Sequence, residues 1–155
     1  MTPATRLLDA HRTEYRLHTY EPSTAHSDYG IDASNQLGVA AARVFKTLVV
    51  ELDSHELVVA AVPVAARLDM KRLAAAAGAK KAFMADRVRV EKTTGYVLGG
   101  VSPLGQKKPL RSFIDVSAGD FPTIYVSGGR RGLEIEIDAC LLGDLLEARF
   151  CVLAR

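Results

Sequence analysis

The sequence predicts an α+β domain in which helices flank a mixed, mostly antiparallel, β-barrel-like sheet. Three observations predict it. Strand-like and helix-like segments are interspersed without a regular βαβα rhythm, which argues against a doubly wound sheet. Short turn signals join neighbouring strands as hairpins. The chain has 155 residues, 48% hydrophobic and 25% charged, a globular composition with enough length to bury a core. No repeat, low-complexity tract or linker divides it, so residues 1–155 read as a single domain.

Each element has a local signature. Thr2 reads as an N-cap and Pro3 as a first helical residue, predicting a helix over residues 3–12 with Ala4, Leu7 and Leu8 as its apolar stripe. Tyr15–Tyr20 alternates and is rich in strand formers, and Glu21-Pro22-Ser23 ends it. Ser27 or Asp28 is expected to cap a helix that closes at Gly38. Val44–Val50 and Leu57–Val62 are the clearest strands, and the turn Asp53-Ser54-His55 makes them an antiparallel hairpin. Asp69 caps a helix over Met70–Ala77, ended by Gly78; Lys81–Met84 reads as a short strand, and Asp86 caps a helix to about Thr94. Gly95, Gly99, Gly100, Pro103 and Gly105 lie within eleven residues, a density that predicts a structured loop beside a strand at Tyr96–Leu98. Ser112–Val116, Thr123–Ser127 and Leu133–Ile137 read as strands, with Gly128-Gly129 turning between the last two. Asp138 caps a final helix to about Ala148, and Phe150–Leu153 reads as a closing strand.

Composition excludes several classes. The net charge of +2 and pI near 8.6 are not those of a tight duplex-DNA binder. The clusters Lys80-Lys81, Lys107-Lys108, Arg111 and Arg130-Arg131 read either as solvated surface or as a modest basic face for a phosphate backbone. No apolar run approaches the ~20 residues of a membrane span, and the N-terminus lacks the apolar core of a signal peptide. Cys140 and Cys151 are too few for a disulfide scaffold, read as small packing residues, and fit a reduced, cytoplasmic protein.

Catalytic motifs are mostly absent. There is no Cys-x-x-Cys pair, no metal-ligand spacing among His11, His18, His26 and His55, no Gly-x-Ser-x-Gly elbow and no Rossmann fingerprint. Gly100–Lys107 resembles a phosphate loop, but Gln106 displaces the lysine and Pro103 removes a backbone donor, so nucleotide hydrolysis is rejected. Lys46 stands out because it interrupts an apolar strand, sharing a face with Val44, Leu48 and Val50. It reads either as an edge lysine reaching solvent or as a cation projecting into a pocket to hold negative charge. The adjacent glycines Gly99-Gly100 make either a tight turn or a place where a ligand meets exposed backbone N–H groups.

Taken in order, Thr2-Pro3-Ala4, His18-Thr19-Tyr20, Val44–Leu48, Thr94-Gly95-Tyr96, Gly99–Lys107, Thr123–Gly129 and Gly132-Leu133-Glu134 resemble one family. It is the YbaK-type deacylases, free-standing relatives of the editing domain inserted in bacterial prolyl-tRNA synthetase, and the resemblance spans nearly the whole chain. It implies removal of an amino acid from the 3′ end of an aminoacyl-tRNA, without metal or cofactor, in the cytoplasm. No membrane and no DNA are implied, and prolyl-tRNA synthetase is an expected partner. Cysteine mischarged onto proline tRNA is the implied substrate. Lys46 matches the family's functional lysine, and Gly99 carries the catalytic role beside it. Tyr20, Thr47, Gly100, Pro103, Ser127 and Glu134 match substrate-binding positions, with Glu134 one methylene longer than the aspartate of the closest relatives. No Ser–His or Cys–His nucleophile is evident, which suits attack by the substrate's own thiol, with N–H groups near Gly99-Gly100 as oxyanion donors. A deacylase for another misacylated tRNA using water, or a non-catalytic tRNA- or synthetase-binding module, are the alternatives.

Overall fold

A computed structural model describes residues 1–23 and 29–155. Helix α1 spans Pro3–Ala10. Its cap is reciprocal, because the Thr5 N–H donates to Thr2 Oγ1 and the Thr2 N–H donates to Thr5 Oγ1. Strand β1 (Arg16–Thr19) and helix α2 (Tyr29–Leu37) follow; the cap expected at Ser27 or Asp28 lies outside the described residues. Strands β2 (Phe45–Leu52) and β3 (Leu57–Pro63) form the expected antiparallel hairpin, pairing Lys46 with Val62. Helix α3 (Met70–Ala77), strand β4 (Ala82–Met84) and helix α4 (Arg87–Thr94) follow, the two helices capped by Asp69 and Asp86 as the sequence indicates. Strands β5 (Ser112–Asp115), β6 (Ile124–Ser127) and β7 (Leu133–Ile137), helix α5 (Ala139–Leu146) and strand β8 (Arg149–Cys151) complete the chain.

The strands form two sheets, ordered β1-β7-β6 and β4-β2-β3-β5-β8. Pairing is antiparallel except at β3–β5 and β5–β8. A parallel bridge between Val44 and Tyr125 joins β6 to the start of β2, so the two sheets curl into a barrel-like surface that does not close. One core fills its interior, where Phe45, Leu104, Ile114, Ile124 and Ile135 meet Leu8 of α1 and Leu142 of α5. A second lies on the opposite face of the larger sheet, where Val50, Val58, Val62 and Phe113 pack on Leu73 of α3. With cores on both sides, β3 is buried at every residue.

Four expectations differ from the structure. Tyr96–Leu98 is not a strand: the Gly100 N–H donates to the Val97 carbonyl, folding the segment into a turn, and the buried Tyr96 hydroxyl donates to the Leu104 carbonyl. Val116 leaves β5 to begin a 3-10 turn, Val116–Asp120, capped by Asp115. The other Asp115 carboxylate oxygen accepts from the N–H groups of Leu153 and Ala154, which ends β8 at Cys151 instead of Leu153. Cys140 is exposed at the start of α5 and so is not a packing residue, whereas Cys151 is partly buried beside the second core.

Candidate functional site

The site is set by the pairing of β2. Val49 O accepts from the Ala85 N–H next to β4, and Arg43 O accepts from the Tyr125 N–H on β6. Thr47 turns the same way, but β4 pairs only with Val50–Leu52 and the bridge to β6 is at Val44, so no strand is paired opposite Thr47. This gap in the sheet holds a cavity of about 510 Å³. Five consecutive residues of the chain, Val44–Leu48, line it, as an open strand edge allows and a single strand face does not. Tyr20, the α2 residues Tyr29 and Ala33, Leu98, Gly99, Ser127 and Glu134 complete the wall.

Six of the residues singled out from sequence therefore surround one cavity: Tyr20, Lys46, Thr47, Gly99, Ser127 and Glu134. Lys46 is partly buried and its Nζ donates to the Ala66 carbonyl at 2.9 Å, which fixes the ammonium at the cavity wall. Thr47 Oγ1 is buried without a hydrogen-bond partner. Ser127 Oγ accepts from the Gly129 N–H at 3.2 Å and keeps its proton to donate. Burial pushes the Tyr20 phenol above its ordinary value, and the Glu134 and Asp32 carboxyls nearby add to the effect. Gly100 and Pro103 do not line the cavity. The Gly100 N–H is used in the turn to Val97, so it is no oxyanion donor, and a Cβ on Gly100 would lie 2.7 Å from Arg130 Cα. Pro103 is buried in the same loop, which packs as a scaffold behind Gly99.

Glu134 is the acid of the cavity wall. It is 6% exposed, and its carboxyl makes no hydrogen bond among the described residues. Burial raises it from the ordinary 4.5 to about 8, so it is protonated near neutral pH. A raised folded-state value contributes stability that is complete below the unfolded value and lost as pH rises through the folded one. The melting temperature is therefore expected to fall between pH 5 and 8. Glu134→Gln should remove much of that fall and be the more stable form at pH 8. Thermal melts of both proteins across this range test it; parallel curves would show that Glu134 carries its charge at neutral pH.

Three contributors were not legible in the sequence. Gly99 has φ +94°, and a Cβ there would sit 2.9 Å from a ring carbon of Tyr29. The Arg131 guanidinium lies 4.6 Å from the centre of that ring. Arg131 in turn donates to the fully buried Asp32 carboxylate at 3.0 Å and to the Ser23 carbonyl. Burial alone would raise Asp32, but hydrogen bonds from the Ser23 N–H, Arg131 and Gln36 outweigh it and hold the carboxyl below its ordinary value. Asp32, Arg131 and Tyr29 thus lock α2 against the Gly99 loop. The one available signal was an aspartate in the middle of a helix. Among the described residues no three His, Cys, Asp or Glu side chains converge as a metal site, and no helix is long and apolar enough to cross a membrane.

Comparison with known proteins bears on this cavity. Residues 27–141 match a model of the aminoacyl-tRNA editing domain. A protein of Enterococcus faecalis described as a candidate Cys-tRNA(Pro)/Cys-tRNA(Cys) deacylase, EbsC, is 37% identical over 149 residues, covering 96% of this chain and 90% of that protein. Among solved structures, the hypothetical protein APE2540 superposes with a TM-score of 0.88 at 23% identity, over 99% of each chain. A structure described as a candidate trans-editing enzyme for prolyl-tRNA synthetase superposes with a TM-score of 0.84 at 22% identity, over 100% of this chain and 98% of that one.

Proposed function

This chain belongs to the aminoacyl-tRNA editing domain family, and on that premise we propose that it is a trans-editing deacylase that removes cysteine from mischarged Cys-tRNA(Pro). The observation that carries the reading is the chemistry of the cavity wall. Among the described residues it offers a lysine, a threonine, a serine, a tyrosine, a glutamate whose carboxyl burial raises, and open backbone, and no histidine or cysteine. Such a site holds and polarises an ester without supplying an activated nucleophile of its own.

Cysteine esterified to tRNA brings a thiol. Attack of that sulfur on its own ester carbonyl forms a C–S bond as the bond to the ribose oxygen breaks. The thiol proton passes to that oxygen, and the amino acid leaves as a cyclic thioester. The Thr47 and Gly99 N–H groups are the oxyanion donors, since Thr47 faces the gap in the sheet and the Gly99 N–H has no hydrogen-bond acceptor among the described residues. Lys46, with one N–H tied to Ala66, directs its remaining donors to the ribose or to the oxyanion. Glu134 receives the substrate's α-ammonium, which draws its proton away. Holding the ester in this pose supplies up to ~7–11 kcal/mol of the barrier. Tyr20 and Ser127 orient the substrate by hydrogen bonding, and Gly100 and Pro103 act through the loop that presents Gly99. Prolyl-tRNA synthetase, which makes the mischarged tRNA, is the partner in this reading, and the cytoplasm its compartment.

Deacylation of cysteinyl-, seryl-, alanyl- and prolyl-tRNA tests the proposal. Cysteinyl-tRNA should be cleaved readily, seryl-tRNA nearly not at all, and alanyl-tRNA, with no nucleophile at that place, should survive. Efficient cleavage of alanyl-tRNA would sink the substrate-thiol route in favour of water attack. Inactivity on all four would leave a binding module.

A further inference from the structure

From Lys92 to Ile114 the chain carries four cations, Lys92, Lys107, Lys108 and Arg111, and no Asp or Glu. Packing gathers three of them. The Lys107 N–H donates to the Thr94 carbonyl and the Lys108 N–H to the Thr93 carbonyl, laying both lysines along the last turn of α4, which carries Lys92. The loop 95–100, which lends Leu98 and Gly99 to the cavity, leaves from this point, and a Cβ on Gly95 would lie 3.5 Å from Lys107 Cβ. The far end of the same loop, Gly100, packs on the main chain of Arg130. Cations thus stand at both ends of the loop that forms one lip of the cavity.

Their pairing sets them apart from their neighbours. Arg87 pairs with Glu91, Arg89 with Glu51 and Arg111 with Glu56. Lys92, Lys107, Lys108 and Arg130 are exposed and have no ion-pair partner among the described residues. Unneutralised cations gathered on one side of a cavity suit a polyanion whose end lies in it. A protein with an overall charge of only +2 has little general attraction for RNA, so local placement matters.

We propose that Lys92, Lys107, Lys108 and Arg130 bind the acceptor-arm phosphates of the tRNA whose 3′ end occupies the cavity. This rests on the deacylase reading above. The test measures binding of uncharged tRNA(Pro) transcript against salt for the wild type and for Lys92→Gln/Lys107→Gln/Lys108→Gln, with thermal melts to check folding. Each phosphate contact contributes roughly 0.7–0.9 to the log–log salt slope, so the triple variant should have a slope shallower by about 2 and an affinity weaker by ~10-fold or more near physiological salt. Replacing the three lysines by arginine should restore both. Arg130→Gln, a milder change on the other side of the loop, should weaken binding by roughly threefold and keeps the proposal testable if the triple variant does not fold. A folded variant with wild-type affinity and slope, in a protein that cleaves cysteinyl-tRNA, overturns the surface and leaves the deacylase reading intact. Salt-dependent binding that the variants lose, in a protein that cleaves no aminoacyl-tRNA, supports the surface and strikes the deacylase reading instead.

Discussion

Lys46→Ala is expected to lower kcat/KM for cysteinyl-tRNA by at least ~10²-fold, or ~2.7 kcal/mol. The side chain sits beside the gap in the sheet, where a strand edge would otherwise be closed by a neighbour. Its ammonium does not wander, because the Ala66 carbonyl accepts one of its protons. Pre-placed charge of this kind costs no reorganisation when negative charge develops, which is why its loss weighs on the rate. The same bond gives Lys46 a structural share, since a hydrogen bond with a charged donor contributes ~1.5–3 kcal/mol. Lys46→Met, which keeps most of the aliphatic stem, separates the two. If Lys46 acts on the substrate, both variants lose activity whatever their melting temperatures. Near wild-type rates in either would return Lys46 to a tether for the Ala66 turn.

Gly105→Ala is expected to be the most destabilising of these changes. Gly105 has φ +67°, and a Cβ there would lie 2.5 Å from the Pro3 carbonyl carbon and oxygen and 2.8 Å from the Ala4 nitrogen. Those atoms are main chain at the start of α1, pinned by the Thr2–Thr5 cap and by the Thr2 hydroxyl donating to the Gly128 carbonyl, so they cannot rotate away. Steric overpacking of ~1–3 kcal/mol adds to ~1–2 kcal/mol for a left-handed residue with a side chain. At ~2–4 °C per kcal/mol for a chain of this size, a loss of about 3 kcal/mol lowers the melting temperature by ~6–12 °C. Gly119→Ala is the control, since its added Cβ meets nothing within 4 Å and its φ is not positive. Equal melting of the two variants would mean that α1 and the glycine-rich loop are not rigidly docked.

The Gly105 contact also explains why Thr2-Pro3-Ala4 and the glycine-rich loop, a hundred residues apart, belong to one pattern. The helix cap at Thr2 was legible from neighbouring residue types; its second hydroxyl contact, to Gly128, was not. Lys46 was legible as an interruption of a hydrophobic strand, but where its cavity opens was not. Alternation suggested a face of the sheet, whereas the cavity opens on the strand edge. Gly99 and Gly100 looked alike in sequence, yet one has its ring neighbour and the cavity, and the other a hydrogen-bonded turn against Arg130.

Local chemistry settles much of this protein: the caps at Thr2, Asp69, Asp86 and Asp138, the β2–β3 hairpin, and the family to which its ordered motifs point. These depend on residues within a few positions of one another, or on the order of motifs along the chain. Only the tertiary structure decided that β4 and β6 stop short of Thr47 and leave a cavity between them, that Asp32 and Arg131 secure Tyr29 over Gly99, and that burial raises the Glu134 carboxyl. The end of a strand pairing, the approach of a distant ring and the removal of water from a carboxyl all depend on which distant residues meet, and that is fixed when the sheets curl together around the core.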